Sequence, residues 1–276
     1  MPWFPDFLSA TELARMESRD EGRTDPVAQY VRALTDGTSR PLEAAWPGHV
    51  VVYDPRAGEV RGHRKLQKFV ADSKSRLAEH GARVETVASM RVPGRAVVEL
   101  LVHLSDGGGQ LEWPVAVVAE SKDDLSVDFR TYCSLEPIDG RRHMRPPILD
   151  PGSTAPGDVV GRYHAALDAG DVDAAVSTFA PDGYYRESTG APRTHRGADQ
   201  LRQFFTQCFS TGGGIGLTPC AVTDDGLCCA VEYSCAYWGG HRLPPQAGIG
   251  VYKRSADGLI AAARIYDDIE APDAHG

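Results

Sequence analysis

The amino-acid sequence contains one long pattern twice. Its landmarks recur in the same order at offsets of 133, 135 and 134 positions: Tyr30 as Tyr163, Arg61-Gly62 as Arg196-Gly197, and Arg130-Thr131-Tyr132 as Arg264-Ile265-Tyr266. Solenoid units have periods of about 20–50 residues, so this period is too long for a solenoid and matches a whole small domain. The pattern therefore predicts two copies of one fold within the chain.

Length and composition agree with two globular domains. The chain has 276 residues, of which 42% are hydrophobic and 24% are charged, and each half is long enough to bury a core of its own. The formal net charge of −9 argues against a nucleic-acid partner, which usually requires a basic protein surface. No stretch approaches the ~20 apolar residues of a membrane span, so we expect no membrane association.

No metal or cofactor motif appears in the sequence. Five of the six cysteines lie in the second half, and neither a C-x-x-C nor a His-x-x-x-His spacing occurs. We interpret the cysteines as reduced, mostly buried thiols. The N-terminal residues Met1–Asp6 lack a basic region followed by an apolar run. We therefore expect a cytoplasmic protein that uses no cofactor.

The repeat and the proline content divide the chain into four segments. Residues 1–26 form an N-terminal extension with a predicted capped helix that begins at Ser9, and this extension either packs on a domain surface or covers a pocket. The first domain is predicted over residues 27–137 and the second over residues 157–272. Five prolines from Pro137 to Pro156 predict an extended, stiff linker over residues 138–156.

Each repeat begins with helical periodicity and ends with strand-like runs. In the second repeat these runs cover residues 217–223, 228–238, 247–253 and 259–268. Helices followed by antiparallel strands predict an α+β fold. A curved, mostly antiparallel sheet covered by N-terminal helices forms a cone, whose mouth is a natural small-molecule pocket. We therefore predict two tandem cone-shaped domains.

The residues that carry the repeat resemble a known superfamily. The similarity to nuclear transport factor 2-like proteins lies in Tyr30–Leu34, Asp54–Glu59 and Arg61-Gly62 of the first half, and in Tyr163–Asp171, Phe179–Gly183 and Arg196-Gly197 of the second. That superfamily includes ketosteroid isomerases, SnoaL-type polyketide cyclases, scytalone dehydratase, limonene epoxide hydrolase and tandem polyether epoxide hydrolases. The resemblance implies the cone-shaped fold. Because family members commonly dimerise, it also implies that the two halves pair as an intramolecular pseudo-dimer.

The resemblance further implies catalytic residues in the first half. Ketosteroid isomerases and polyether epoxide hydrolases have a strand ending in Asp-Pro-x-Gly with a catalytic aspartate, and Asp54–Gly58 is close to that pattern. Tyr30 stands where the isomerases have a tyrosine that donates to the developing enolate. Their protonated aspartate would fall near Ala116 or Gly250, and neither residue has a side-chain donor. This difference counts against steroid isomerase activity.

The residue types themselves support the same candidates and leave alternatives open. Asp54 and its counterpart Glu187 would be partly desolvated at the rim of an apolar cone and could act as general bases; alternatively, Asp54 caps the amides of a turn. Tyr30 and Tyr163 could donate to an oxyanion, or they are core tyrosines with satisfied hydroxyl groups. Neighbouring tyrosines would form an aromatic pocket wall: Tyr53, Tyr184 and Tyr185.

Two matched glutamates, Glu99 and Glu232, lie within strongly apolar strands. A charge in such a strand must be paired, or must face water or a pocket. Glu99 shares a strand face with His103, so these two residues either perform acid–base chemistry together or pair across a domain interface. Arg130 and Arg264, on the last strand of each repeat, are natural ion-pair partners.

The ends of the last strands differ between the repeats. Asp267 and Asp268 stand where the first repeat has Cys133 and Ser134. Carboxylates on late strands take part in catalysis in SnoaL-like cyclases and limonene epoxide hydrolase, so the resemblance implies a catalytic role for Asp267 or Asp268; a solvated strand end is the alternative. The asymmetry predicts one catalytic and one structural pocket. The candidate substrate-binding residues are Tyr53, Glu99, His103, Trp113, Arg130, Tyr132, Tyr185, Glu232 and Tyr266.

Together these features predict a cofactor-independent acid–base enzyme for a hydrophobic small molecule with a carbonyl or epoxide group. Isomerisation, cyclisation, dehydration and epoxide opening all stay open, as does further oligomerisation. The resemblance places such an enzyme in secondary metabolism. The alternative is a non-catalytic binding or scaffold protein with the same fold.

Overall fold

The computed structural model describes residues 23–106 and 109–269. The chain separates into two compact units. Among the described residues, the first comprises residues 23–82, Gly94–Ala96 and Val118–Arg130, and the second comprises Arg83–Pro93, Val97–Val117 and residues 131–269. The second unit thus contains the whole second repeat and several strand segments of the first. The helix predicted to begin at Ser9 lies outside the described residues.

Helices precede most of the strands in both repeats. The first repeat contains α1 (Pro26–Asp36), α2 (Arg40–Ala45), β1 (His49–Asp54), β2 (Gly58–Arg61), α3 (His63–Glu79), β3 (Arg83–Val92), β4 (Arg95–Asp106), β5 (Gly109–Ser121) and β6 (Ser126–Tyr132). The short helix α4 (Glu136–Asp139) follows. The second repeat contains α5 (Val159–Ala169), α6 (Val172–Ser177), β7 (Phe179–Arg186), β8 (Thr194–Arg196), α7 (Gly197–Cys208), β9 (Ile215–Asp224), β10 (Cys228–Trp238), β11 (His241–Arg254) and β12 (Ile260–Tyr266).

The first helix of each repeat is capped in the same way. The side chain of Asp25 accepts a hydrogen bond from the amide of Ala28 at the start of α1, and the side chain of Asp158 accepts one from the amide of Val160 at the start of α5. Both helices end at a glycine with positive φ, 71° at Gly37 and 66° at Gly170, a conformation that other residues rarely adopt. The two copies therefore preserve the local signals that begin and end this helix.

Two six-stranded sheets confirm the α+β prediction. Their strand orders are β2-β1-β6-β5-β4-β3 and β8-β7-β12-β11-β10-β9, which is the same order in each repeat. The pairs β1–β6 and β7–β12 are parallel, whereas β1–β2, β7–β8 and β9 to β12 pair antiparallel. Identical strand order in both copies is the structural counterpart of the sequence repeat.

The linker was predicted to be extended, but the segment after β6 begins with a short helix. Residues Glu136–Asp139 form α4, with Pro137 in its first turn, and the helix ends at Gly140 with φ 69°. Proline is compatible with this position because the first helical amides have no intrahelical acceptor. The linker prediction was therefore wrong for α4.

The core of the second repeat positions the candidate site. Buried side chains of α5, α6 and α7 pack on those of β7, β10, β11 and β12, with Tyr163 and Phe205 among the largest. A second buried cluster joins Tyr233, Cys235 and Ile269 near the ends of β10 and β12. The cavity described below is lined from both clusters.

Candidate functional site

A cavity of about 70 Å³ lies in the second repeat. Most of its wall is aromatic or aliphatic, including Tyr163, Phe204, Phe205, Trp238 and Ile265. A few polar side chains also reach it: Arg142, Tyr185, Glu187, Tyr233 and Asp267. An apolar cavity with a small number of converging polar groups is the usual form of a small-molecule site, although this one is smaller than the ~300–1,000 Å³ of typical ligand pockets.

Asp267 is the carboxyl group at the end of β12. The hydroxyl of Tyr233 on β10 donates a hydrogen bond of 2.7 Å to its Oδ2. Burial raises the pKa of Asp267 to about 6, although the Tyr233 hydrogen bond and the nearby positive charge of Arg142 act in the opposite direction. A carboxyl group with this pKa exchanges protons close to neutral pH, as a general base must.

Gly248 on β11 makes this hydrogen bond geometrically feasible. A Cβ atom at position 248 would lie 2.5 Å from the ring of Tyr233 and 2.8 Å from the Cβ of Asp267, closer than van der Waals contact. The missing side chain therefore lets Tyr233 reach across the middle strand to Asp267.

A second acid–base pair consists of Glu187 and His195. Glu187 directly follows β7 and lines the cavity. Its Oε1 lies 2.8 Å from Nε2 of His195 on β8, and Arg193 lies 3.7 Å from the other oxygen. The imidazole ring of His195 stacks on Phe204 with centroids 4.3 Å apart. The cavity is therefore bordered by two separate carboxylates, one bonded to a phenol and the other to an imidazole.

Two further phenols, Tyr163 on α5 and Tyr185 on β7, line the same cavity. Burial raises the pKa of both well above the usual value, and the charges of Asp267 and Glu187 also raise that of Tyr185. Both side chains are therefore neutral at physiological pH and can donate hydrogen bonds to a ligand oxygen.

Asp268 is used differently from its neighbour Asp267. Its carboxylate is buried and accepts hydrogen bonds from the hydroxyl of Ser134 at 2.6 Å, the amide of Leu135 at 3.1 Å and the amide of His143 at 2.7 Å. All of its acceptor contacts therefore go to the segment after β6. Asp268 therefore fixes the linker to the end of β12 through these hydrogen bonds.

The two catalytic candidates of the first repeat, Asp54 and Tyr30, both make structural contacts. Oδ1 of Asp54 accepts hydrogen bonds from the amides of Arg56 at 2.9 Å and Ala57 at 2.8 Å, which is the turn-capping role that the sequence left open. Tyr30 is buried and its ring stacks on Phe129 with centroids 4.6 Å apart. Neither residue lines the cavity of the second repeat.

Three of the cavity's polar groups, Tyr233, Asp267 and His195, have apolar or thiol counterparts in the first repeat. Leu100 stands at the position of Tyr233, Cys133 at that of Asp267, and Val60 at that of His195. The last equivalence follows from the strand register, since Val60 pairs with Val52 as His195 pairs with Tyr185. The Tyr233–Asp267 pair and the imidazole of His195 are therefore specific to the second copy, whereas Glu187 and Tyr163 have the polar counterparts Asp54 and Tyr30.

Glu99 forms a buried ion pair. Its two carboxylate oxygens accept hydrogen bonds from Nε and Nη2 of Arg264 at 2.5 and 2.6 Å, and one also accepts from the hydroxyl of Tyr266 at 2.6 Å. Burial alone would lower the pKa of Arg264, but its hydrogen bonds and charge interaction with Glu99 raise it above the usual value. Glu99 and His103 do not bond to each other in this arrangement, because His103 faces Glu85 at 3.3 Å.

The remaining substrate-binding candidates also make structural contacts. Glu232 accepts a hydrogen bond of 2.7 Å from the hydroxyl of Tyr132. Arg130 donates to Glu120 at 2.8 Å, and the indole of Trp113 donates to the carbonyl of Ser134. Tyr53 lies at the β1–β2 hairpin, opposite Glu59. Of the nine candidates, only Tyr185 lines the described cavity.

Three polar residues of the site were not identified from the sequence: Tyr233, His195 and Arg142. Alternation along β10 does place Tyr233 on the face opposite Glu232, so a signal existed for it. His195 adjoins the repeated Arg196-Gly197 landmark, but its contact with Glu187 depends on the β7–β8 register. Arg142 lies in the linker and had no local signal.

Among the described residues, no group of three or more His, Cys, Asp or Glu side chains is arranged to hold a metal ion. No helix within residues 23–106 and 109–269 is both long and apolar enough to cross a membrane.

Comparison with known families finds a similarity that lies within the second repeat. The family model of the SnoaL-like domain matches residues 160–263. No curated protein matches the chain.

Several solved structures are similar to about two fifths of the chain. A putative polyketide cyclase from Sinorhizobium meliloti is 23% identical over 39% of this chain and 92% of its own, with a TM-score of 0.33. A protein with a ketosteroid isomerase-like fold from Catenulispora acidiphila, in complex with trimethylamine, is 20% identical over 43% and 90%, with a TM-score of 0.35. The epoxide hydrolase/cyclase-like enzyme SalBIII, of pyran ring formation in the polyether salinomycin, is 20% identical over 39% and 86%, with a TM-score of 0.34.

Proposed function

Because residues 160–263 form a SnoaL-like domain, we propose that the chain is a cofactor-independent acid–base enzyme whose site is the second-repeat cavity. Its substrate is a small hydrophobic molecule with a carbonyl or epoxide group. The observation that carries this proposal is the carboxyl group of Asp267, which lies among aromatic side chains with a pKa of about 6.

The polar groups of the cavity suggest which residue carries out each catalytic step. Asp267 takes a proton from the substrate, because it is largely ionised at neutral pH and yet more basic than an exposed carboxylate. The pair of Glu187 and His195 supplies or returns a proton at another position. The neutral phenols of Tyr163 and Tyr185 donate hydrogen bonds to the substrate oxygen. Isomerisation, cyclisation and dehydration all consist of such transfers.

A base-sensitive probe tests the proposal before the natural substrate is known. Ring opening of 5-nitrobenzisoxazole requires only that a base remove one C–H proton, and its phenolate product is followed by absorbance. We expect the protein to accelerate this reaction and Asp267→Asn to reduce the acceleration by about 100-fold or more, the usual contribution of a general base. Asp257→Asn changes an exposed carboxylate in the β11–β12 turn and serves as the control. Equal rates for Asp267→Asn and the unmodified protein, with a change in tryptophan fluorescence showing that the probe is bound, would refute the proposal.

A non-catalytic binding protein is the second candidate, and the small volume of the cavity favours it. About 70 Å³ holds only a small ligand unless the lining side chains move. Trp238 lines the cavity, so its fluorescence should report an occupant. Binding of the probe without any dependence of its turnover on Asp267 or Glu187 would identify this alternative.

A further inference from the structure

Arg142 belongs to the linker between the repeats, yet it lines the cavity of the second repeat. Its side chain is 16% exposed. It is the one cationic side chain among the described residues that line this cavity. The positive charge of Arg142 lies beside two carboxylates in this cavity, and it attracts negative charge that develops on a bound molecule.

The backbone around Arg142 is fixed to the end of β12. Asp268 accepts hydrogen bonds from Ser134 and Leu135 on one side of Arg142 and from the amide of His143 on the other. The linker therefore leaves β6, forms α4, and returns beside the strand end that carries Asp267. This path places Arg142 at the cavity.

Two of the three guanidinium nitrogens of Arg142 are already used. Nε donates to Oε2 of Glu136 at 2.8 Å, and Nη1 donates to the carbonyl of Ile269 at 2.5 Å. Nη2 has no hydrogen-bond acceptor among the described residues. The guanidinium group is thus held in place while one of its donors stays available.

We propose that Arg142 stabilises the substrate oxygen on which negative charge develops when Asp267 removes a proton. The proposal rests on the function proposed above and narrows its substrate class. The substrate would be a small neutral carbonyl compound whose acidic C–H bond is next to the carbonyl carbon.

The proposed step balances in atoms and charge. The Asp267 carboxylate takes the proton, the electrons of the broken C–H bond form a C=C bond, and the carbonyl π electrons move to oxygen. One negative charge thereby moves from Asp267 to the enolate oxygen beside Arg142. A neutral substrate fits this arrangement better than an anionic one, because Asp267 and Glu187 both repel an anion before the proton is transferred.

The test uses a mimic of the state after proton transfer. Asp267→Asn imitates the protonated carboxyl group, and bound 4-nitrophenol imitates the enolate, since its phenol and phenolate forms absorb differently. In the Asp267→Asn protein we expect the cavity to favour the phenolate. Adding Arg142→Gln should weaken phenolate binding by about tenfold or more and shift the bound ligand towards the neutral phenol. Arg142→Lys should retain part of the effect because it keeps the charge.

Two further variants separate a direct role of Arg142 from a structural one. Arg141→Gln removes the exposed neighbouring arginine and should leave phenolate binding unchanged. Glu136→Gln removes the carboxylate that competes for Arg142, and should strengthen phenolate binding several-fold while keeping the linker contacts of Asp268. If Arg142→Gln does not fold, Glu136→Gln and Arg142→Lys still decide the question.

The outcomes distinguish this inference from the proposed function. Unchanged phenolate binding in Arg142→Gln, or weaker binding in Glu136→Gln, would overturn the role of Arg142 even if Asp267 proves to be the base. Loss of phenolate binding in Arg142→Gln, together with turnover that ignores Asp267, would support the oxyanion site and refute the proposed catalysis.

Discussion

The hydroxyl of Tyr233 donates a hydrogen bond of 2.7 Å to Oδ2 of Asp267, across the strand that carries Gly248. The bond favours the ionised carboxylate, whereas burial favours the protonated one. Because the two effects act on the same proton, the pKa of Asp267 of about 6 is a compromise that a single hydroxyl group can shift.

Removing that hydroxyl should shift the pH dependence of catalysis. With the benzisoxazole probe, we expect the rate to rise with pH through an apparent pKa near 6 as Asp267 ionises. In Tyr233→Phe the apparent pKa should rise by roughly 1–2 units, since a hydrogen bond to a charged group contributes about 1.5–3 kcal/mol. Arg142, Tyr185 and the Glu187–His195 pair face the same cavity, and the variant leaves them unchanged. A pH profile identical to that of the unmodified protein would exclude Asp267 as the titrating base.

Two buried groups should give the second repeat opposing slopes of stability against pH. Burial lowers the pKa of His164 to about 4, so the unfolded chain binds this proton more tightly and stability falls as pH decreases from 6.5 to 4. Burial raises the pKa of Asp267 to about 6, so the folded chain binds that proton more tightly and stability falls as pH increases from 3.8 to 6. Each effect amounts to about 3 kcal/mol, and they should nearly cancel between pH 4 and 6.

Single variants of these two groups reveal each slope. In Asp267→Asn the His164 effect is no longer opposed, so the free energy of unfolding should increase more steeply from pH 4 to 6 than in the unmodified protein. In His164→Phe the Asp267 effect is no longer opposed by that of His164, so the profile should shift in the opposite direction over the same range. Urea titrations at several pH values measure both, and parallel profiles for the two variants would contradict the assignment.

The ion pair of Glu99 and Arg264 should be costly to break. Arg264 is buried and its guanidinium has Glu99 as its carboxylate partner. Glu99→Ala would leave that charge uncompensated, and we expect a loss of about 3–5 kcal/mol in the free energy of unfolding. The double variant Glu99→Leu with Arg264→Met should recover much of this loss, because it removes both charges. Asp72→Ala, which breaks an exposed pair with Lys68, is the control and should have little effect.

The fold could be predicted from the sequence because its signals are local and occur twice. The capping aspartate and terminal glycine of α1 recur in α5, and the strand runs recur in the same order. The pattern in each copy therefore supported the helices and strands predicted for the other. The short helix α4 was missed because Pro137 and the glycine that ends the helix, Gly140, are equally typical of an extended linker.

The site was only partly predictable because its contacts are distant in the sequence. Asp267 was a candidate, but its partner Tyr233 lies 34 positions away and reaches it only through the pairing of β10, β11 and β12. Arg142 reaches the cavity because Asp268 binds the linker backbone, a contact that spans 125 positions. No local pattern encodes either relationship. The sequence around Asp54, conversely, fits a catalytic strand end and a capped turn equally well.

Comparing Asp54 with Asp267 therefore tests which repeat carries the chemistry. Asp54 binds the amides of Arg56 and Ala57, and Asn keeps an oxygen that can accept these bonds, so Asp54→Asn should have little effect on the β1–β2 turn and leave the turnover of the benzisoxazole probe within about twofold of the unmodified rate. Asp267→Asn should instead reduce turnover by about 100-fold while the protein stays folded at pH 7. Both substitutions replace a carboxylate by an amide of the same shape, so any difference comes from the surroundings. If Asp54→Asn abolished turnover and Asp267→Asn did not, the catalytic site would lie in the first repeat.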